Sequence, residues 1–251
     1  MKEDKPKQLI QRGSEIAGAA VGGAIGFLAG GPVGAGAGAA LGISCTHALT
    51  DVANRYLSPR EEVRIGGVAA IALDELKVRI DRGQPLRDDG FFESKGTDRP
   101  SSEEVFEGVL LKAKNTHEEK KLVHLGKLFS NISFESSCSV EEANQLVELA
   151  ESLTYTHFRI LALARRCDQF RTRQEKVKPG TEVTWAHLSL IQQAMQLIRL
   201  GMMKDRQHFL LSETEIVPSQ MYLTYEGQRF YDLLSLSNIS DDEIEWVAQN
   251  I

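Results

Sequence analysis

Residues 16–50 read IAGAAVGGAIGFLAGGPVGAGAGAALGISCTHALT and carry no charged side chain, with His47 counted as neutral. Within this run glycine recurs at every fourth position: Gly18, Gly22, Gly26, Gly30, Gly34, Gly38 and Gly42. Residues four apart lie on one face of an α-helix, so the glycines form a stripe that lacks side chains. Such a stripe lets helix backbones approach each other closely, as they do within lipid. In water each interior glycine instead costs about 1 kcal/mol relative to alanine.

A proline divides this run into two segments. Pro32 follows Gly30 and Gly31, and both residue types end helices. We therefore expect residues 16–30 and 33–50 to form an antiparallel helical hairpin. A soluble, close-packed hairpin and a flexible Gly/Ala arm are the alternatives that the sequence leaves open.

The hydrophobicity of the run is marginal for membrane insertion. A spanning helix needs about 20 apolar residues, and 35 residues are slightly few for two spans. The nine strongly apolar side chains contribute roughly −3 to −5 kcal/mol to insertion, and the ten glycines weaken that gain. The pattern resembles the glycine zipper of membrane-embedded and pore-lining helices. This resemblance implies that membrane lipid and further copies of the chain are partners.

Flanking charge and overall composition indicate where the rest of the chain lies. Basic residues precede the run at Arg12 and follow it at Arg55, Arg60 and Arg64, which favours a cytoplasmic position for both ends. The chain has a net charge of −6, and its 25% charged residues are ordinary for a soluble protein. Its three cysteines are far apart, which fits a reducing compartment. We expect a membrane-associated protein whose bulk is cytoplasmic.

Residues 51–138 are predicted to form a helical domain. Apolar side chains recur with helical spacing over 61–80 and 117–129, and Gly83 is a candidate C-cap of the first helix. Capping boxes are expected at Ser101 with Glu104 and at Ser139 with Glu142. Residues 84–100 are expected to form a loop, which Phe91 and Phe92 attach to the core.

Residues 139–251 carry a second family resemblance. Helices are predicted over 153–166 and 185–200, and strands over 208–211 and 221–224. The segment LIRLGMM at 197–203, followed by LTYEGQRFYDLL at 223–234, is similar to winged-helix domains over about residues 153–236. The expected fold is therefore mainly α, with a glycine-zipper hairpin (1–50), a helical domain (51–138) and a winged-helix-like α+β domain (139–251).

The sequence departs from the winged-helix pattern at its second helix. Residues 168–184 are polar and include Pro179-Gly180, so this helix is expected to be shortened or missing. In winged helices that read DNA, the third helix enters the major groove. Here the third helix offers the following side chains: His187, Ser189, Gln192, Gln193, Gln196 and Arg199.

Charge disfavours DNA as the ligand of this part of the chain. Residues 139–251 contain 11 Lys and Arg against 16 Asp and Glu, whereas phosphate contacts require basic side chains. One local basic stretch is a candidate contact for nucleic acid or an acidic partner: Arg165, Arg166, Arg171, Arg173, Lys176 and Lys178. We favour a protein partner for this domain and regard nucleic acid as the less favoured ligand.

No motif indicates catalysis. The glycine run contains neither GxGxxG nor GxxxxGK[ST], and no GxSxG occurs anywhere. His117, His124, Cys138 and the pair Asp88-Asp89 have no partners at catalytic or metal-ligating spacing, so no enzyme, cofactor or metal site is expected. Two function classes remain in front. The first is a membrane-associating, self-oligomerising effector or scaffold, which extends to pore-forming and stress-response proteins. The second is a DNA-binding winged-helix regulator tethered or dimerised by its N-terminus. A soluble helical adaptor is a third possibility.

Overall fold

The computed structural model of the chain describes residues 37–94, 96, 98–176, 182, 184–205 and 216–251. These residues form nine α-helices and one two-stranded antiparallel sheet, so a mainly helical protein with a small β component is confirmed. They fall into two compact units, Met1–Ser152 and Leu153–Ile251, which we call unit 1 and unit 2.

Unit 1 is built around its third described helix. Its helices are α1 (Ala37–Ala53), α2 (Pro59–Asp81), α3 (Ser101–Asn115), α4 (Glu119–Ile132) and α5 (Val140–Ser152). Helix α3 packs against each of the other four. Its Phe106 is fully buried and contacts Phe129 of α4, with the ring centroids 4.4 Å apart.

Helices α2 and α4 approach each other closely at a glycine. A Cβ atom on Gly126 of α4 would lie 2.8 Å from Ile71 Cγ2 and 2.9 Å from the carbonyl oxygen of Val68. Both neighbours belong to α2, which is the partner that α4 contacts most extensively. Only a residue without a side chain fits here without displacing α2.

Local sequence signals account for some of the helix ends in unit 1, most clearly for both ends of α2. Helix α2 begins at Pro59, after Ser58, whose backbone N–H donates to Glu61 Oε2 at 2.7 Å. It ends as expected near Gly83, which has a φ of +78°. The capping box expected at Ser101 is wrong, because Pro100 occupies the N-cap of α3 and makes no side-chain cap. Glu104 instead accepts a 2.7 Å hydrogen bond from Asn144 of α5.

The loop between α2 and α3 is attached to the core, as predicted. Phe91 and Phe92 are each 3% exposed. The buried guanidinium of Arg87 donates to the carbonyl oxygens of Cys138 and Ile132 and to Asp89 Oδ1, the last at 2.9 Å. This hydrogen bonding from Arg87 lowers the pKa of the Asp89 carboxyl.

The sequence predicts a domain boundary between residues 138 and 139. The two compact units divide after Ser152, so α5 lies in unit 1. The reason is the apolar face of α5, including Leu146 and Val147, which is buried while α5 packs on α3. Helix α1 also packs on α3, so the described part of the predicted hairpin belongs to the same unit.

Unit 2 is built around its first helix. Its elements are α6 (Tyr155–Arg165), α7 (Trp185–Arg199), β1 (Met203–Asp205), β2 (Met221–Leu223), α8 (Tyr225–Leu233) and α9 (Asp241–Asn250). Helix α6 packs against all three other helices and against β2. Between α6 and α7 the described residues form one short 3-10 turn, Cys167–Gln169.

The two strands pair in register, Met203 with Leu223 and Asp205 with Met221. Strand β2 confirms the strand predicted at 221–224. The strand predicted at 208–211 lies outside the described residues. Strand β1 directly follows the turn after α7, at residues that the sequence analysis did not assign to a strand.

Candidate functional site

Helix α1 is the part of the glycine run that the structure describes. It contains Gly38 and Gly42, and Gly42 is buried. The earlier zipper glycines and the predicted hairpin break lie outside the described residues: Gly18, Gly22, Gly26, Gly30, Gly34 and Pro32.

The inner face of α1 belongs to the core of unit 1. Leu41 and Val52 are fully buried, and Cys45, Ala48 and Leu49 are at most 5% exposed. Burying the two leucines and the valine contributes roughly 5–9 kcal/mol, as an upper bound. This upper bound is of the same order as the roughly 3–5 kcal/mol expected from inserting the whole run into lipid. In the described structure these side chains are buried in a protein core.

Three polar pairs fix how α1 lies on α3. Ser102 Oγ donates to Ser44 Oγ at 2.9 Å, and both side chains are fully buried. His47 Nδ1 lies 3.4 Å from Glu103 Oε2. Near the end of α1, Arg55 forms an ion pair with Glu107. The pairs follow the same order along both helices, so they specify one register of docking.

The outer face of α1 is uncharged up to Thr50, and its last turn carries the exposed Asp51, which pairs with Arg55. Ile43 is 57% exposed, His47 is exposed, and Thr46 and Thr50 are half-buried. No Asp, Glu, Lys or Arg occurs between residue 37 and residue 50. Helices that face water normally place charged or polar side chains on their outer face, and here Thr46, His47 and Thr50 supply the polar ones. Among the described residues, no helix is both long enough and apolar enough to cross a membrane.

In unit 2, the helix expected to face a ligand makes internal contacts instead. On α7, Gln193 Oε1 accepts a 2.7 Å hydrogen bond from Thr154 Oγ1, and Gln196 Oε1 lies 3.1 Å from His157 Nε2. His187 Nδ1 lies 3.2 Å from the carbonyl oxygen of Asn250. Burial lowers the pKa of the His187 imidazole.

His157 is an element of this arrangement that the sequence analysis did not identify. The backbone N–H of Thr154 donates to His157 Nδ1 at 3.0 Å. Nδ1 is therefore the acceptor, and the proton of a neutral ring lies on Nε2, where it is donated to Gln196. The signal available in the sequence was the Thr-x-x-His spacing, which resembles a capping box with His as its third residue.

Two arginines of the predicted basic stretch make contacts within unit 2. Arg166 donates to the carbonyl oxygen of Ile239 and pairs with Asp241 at 2.9 Å. Arg173 donates to the carbonyl oxygen of Ile216 at 2.9 Å, and burial lowers its pKa. Both arginines therefore hold segments of unit 2 together. Arg165, Arg171 and Lys176 are exposed, and Lys178 lies outside the described residues.

Four side chains of α7 are exposed: Trp185, which is 81% exposed, Gln192, Gln196 and Arg199. Of the six candidate contacts on this helix, Gln192 and Arg199 are exposed and have no hydrogen bond or ion pair among the described residues. Ser189 accepts a 3.2 Å hydrogen bond from Gln193.

Exposed apolar side chains lie around the joint between α7 and the sheet. Leu200 is 45% exposed, Tyr222 is 40% exposed and Tyr225 is 76% exposed. Leu200 and Tyr225 directly adjoin Gly201 and Thr224, whose carbonyl oxygen and hydroxyl are hydrogen bonded. We call Leu200, Tyr222 and Tyr225 the apolar joint.

Cys138 and Asp89, two of the residues considered as candidates for catalysis, lie in contacts that belong to the fold of unit 1. Cys138 is buried, and Asp89 is paired with Arg87. Within the residues that the structure describes, no three His, Cys, Asp or Glu side chains cluster in a way that could hold a metal ion. Comparison of the chain with protein-family models, with curated proteins and with solved structures gave no match.

Proposed function

We propose that this chain associates with membranes and with copies of itself through the glycine run, and that unit 2 contacts another protein. The observation that carries the proposal is the absence of Asp, Glu, Lys and Arg from residues 16–50, of which α1 holds the last part. The glycine spacing of this run suits close helix packing in lipid. The exposed Ile43 of α1 suits lipid or a second helix better than water.

Residues after α1 support the same proposal. Tyr56 is 98% exposed and stands between Arg55 and Arg60, and Arg60 is also exposed. Tyrosine is enriched at membrane–water interfaces, and basic residues are enriched on the cytoplasmic side. The end of the glycine run thus has the side chains expected where a chain leaves a membrane.

Flotation with lipid vesicles tests membrane association. The full chain should float, and Ile43→Glu should reduce the floating fraction because it places a charge on the outer face of α1. Leu200→Glu is the matched control, since it changes an exposed aliphatic residue of unit 2 and should float like the unmodified chain. Full-length protein that stays at the bottom of the gradient would contradict the proposal.

Truncation must respect the fold of unit 1. Removing residues 1–50 would delete Leu41, Cys45 and Leu49 from the core, so lost flotation would have two explanations. Removing residues 1–36 leaves α1 in place. This shorter deletion separates the contribution of the first zipper half from that of α1.

Self-association is tested at the glycines that precede α1. Replacing Gly22, Gly26 and Gly30 by Leu raises hydrophobicity but holds helix backbones apart, so cross-linking in membranes should give fewer defined oligomers. Gly42 is unsuitable for this test because it is buried in unit 1. Unchanged or stronger oligomers would mean that the glycines serve another purpose. A separate measurement, dye release from vesicles, distinguishes a pore-forming effector, which should release the dye, from a scaffold, which should not.

For unit 2 we infer a winged-helix-like domain that binds protein. Support comes from the order of α6, a short turn, α7, β1, β2 and α8, which is the order of that fold with a reduced second helix. The apolar joint is an exposed surface of the kind that protein partners use. The amides of Gln193 and Gln196, which would suit adenine, already have partners within the unit.

A further inference from the structure

Helix α1 cannot lie in the core of unit 1 and in a membrane at the same time. A hairpin whose second half is residues 33–50 uses almost all of α1, which begins at Ala37. The side chains that such a hairpin would present to lipid include Leu41 and Leu49, which are at most 5% exposed in unit 1. Insertion of the second half therefore requires α1 to leave α3.

The docked position is specified by polar contacts as well as by apolar packing. Ser44 and Ser102 share a fully buried hydrogen bond. Glu107, whose side chain is 13% exposed, pairs with Arg55 of the α1 end and with Arg99. These polar pairs add to the apolar packing and make the docked position of α1 a specific one.

We propose that docking of α1 on α3 is an autoinhibitory contact that withholds the second half of the glycine run from the membrane. In the docked state the chain associates with the surface of a bilayer. When α1 leaves α3, its residues become available for insertion as part of the second half of the predicted hairpin. This inference rests on the proposed membrane association and specifies how it is regulated.

A reversible covalent lock tests the contact. The variant Ser44→Cys/Ser102→Cys places two thiols at the hydroxyls that lie 2.9 Å apart, which is close enough for a disulfide after small adjustments. Cys45→Ala is included so that the neighbouring thiol cannot exchange with the lock. The same protein is compared oxidised and reduced, and Cys45→Ala alone is the control for the oxidation step.

Two measurements separate the inference from the proposed function. Flotation reports association with vesicles, whereas resistance to alkaline carbonate extraction reports insertion. We expect oxidised and reduced protein to float equally, and only the reduced protein to give a carbonate-resistant fraction. Equal carbonate resistance in both states would overturn the autoinhibitory contact and leave the proposed function standing. Absence of flotation in every variant would overturn both.

A second variant acts in the opposite direction and needs no disulfide. Glu107→Gln keeps the shape of the side chain but removes its charge from Arg55 and Arg99, so it should loosen docking and increase the carbonate-resistant fraction. Lys77→Gln, which removes a surface ion pair with Asp81 on α2, is the matched control. A carbonate-resistant fraction that Glu107→Gln leaves unchanged would contradict the proposal even if the lock failed to form.

Discussion

At the scale of single residues, one set of contacts explains the Leu-Thr-x-x-Gly motif, which suggested the fold of unit 2. Thr224 Oγ1 accepts from the backbone N–H of Gly227 and donates to the carbonyl oxygen of Gly201. A Cβ atom on Gly227 would lie 1.8 Å from the carbonyl oxygen of Met202. The Leu-Thr-x-x-Gly pattern is therefore a steric and hydrogen-bonding requirement of the contact between α8 and the turn before β1.

Gly227→Ala should consequently destabilise unit 2. The methyl group has no space against the backbone of Met202, so α8 must move, at a cost of about 2–3 kcal/mol. Urea unfolding followed by circular dichroism measures this change. The neighbouring exposed substitution Glu226→Ala should stay within about 0.5 kcal/mol of the unmodified chain, and an equal loss in both variants would contradict the explanation.

Asp89 makes part of the stability of unit 1 dependent on pH. Arg87 lowers the pKa of this carboxyl in the folded state. Its contribution to stability is thus fully present above the unfolded pKa of about 4, and it is lost as the pH falls through the lowered folded pKa. Asp89→Asn should be less stable near neutral pH, and the difference should shrink in strong acid.

Thermal unfolding over a pH series measures this effect. Asp88→Asn is the control, because Asp88 is the exposed adjacent carboxylate and no hydrogen bond from Arg87 reaches it among the described contacts. If both variants gave the same pH profile, Asp89 would not be the group responsible.

At the scale of elements, the sequence predicts helices well where their signals are local. Helix α2 was expected over 61–80 and runs from Pro59 to Asp81. Strand β1 could not be predicted in the same way. It is three residues long, and it is defined by pairing with Met221–Leu223, far along the chain. A short strand of this kind depends on tertiary contacts and leaves little pattern in its own residues.

The candidate sites were predictable only in part, for a related reason. The spacing of Leu41, Cys45, Ala48 and Val52 identifies a buried face of α1. The same spacing occurs in helices buried in lipid and in helices buried in a protein core, so it does not distinguish the two environments. The sequence shows that Gln193 and Gln196 lie on one helix. It does not show that the oxygens of these amides accept hydrogen bonds from Thr154, the N-cap of α6, and from His157 of α6.

Packing of α4 gives a prediction at this scale. Gly126→Ala should destabilise unit 1 by about 1–3 kcal/mol, because its methyl group would overlap Ile71 and Val68 of α2. Gly108→Ala on α3 is the matched control. Its Cβ would make an ordinary contact 3.7 Å from Val147, so it should be neutral or should stabilise by up to about 1 kcal/mol.

Chemical denaturation of both variants tests the comparison. Equal stabilities would mean that α2 and α4 can separate without cost. A loss in Gly108→Ala that matched the loss in Gly126→Ala would indicate that helix propensity and spacing do not govern this core.

At the scale of the whole molecule, the position of the boundary changes the charge argument about DNA. Helix α5 carries four glutamates and lies in unit 1. Residues Leu153–Ile251 then contain 11 Lys and Arg against 12 Asp and Glu, a net charge of −1. The case against DNA therefore rests less on repulsion than on the internal partners of Arg166, Arg173, Gln193 and Gln196.

We expect the detergent-solubilised full chain to show no sub-micromolar affinity for duplex DNA at physiological salt, as measured by fluorescence anisotropy. The acidic side chains of unit 2 slightly outnumber its basic ones, and Arg166 and Arg173 are held in internal contacts, which weakens the phosphate contacts that dominate such binding. A tight, salt-sensitive complex that Arg165→Glu/Arg171→Glu abolished would contradict this and would favour the DNA-binding regulator.

The burial of Cys45 also provides an intrinsic probe of whether helix α1 is in place. Cys45 and Cys138 are at most 2% exposed, whereas Cys167 is half-buried on the short turn of unit 2. Burial also raises the pKa of the Cys45 thiol, which suppresses the reactive thiolate. A maleimide dye should therefore label native protein first at Cys167. Labelling at Cys45 would then mark each molecule whose first described helix has left its place, and its rate would time that event.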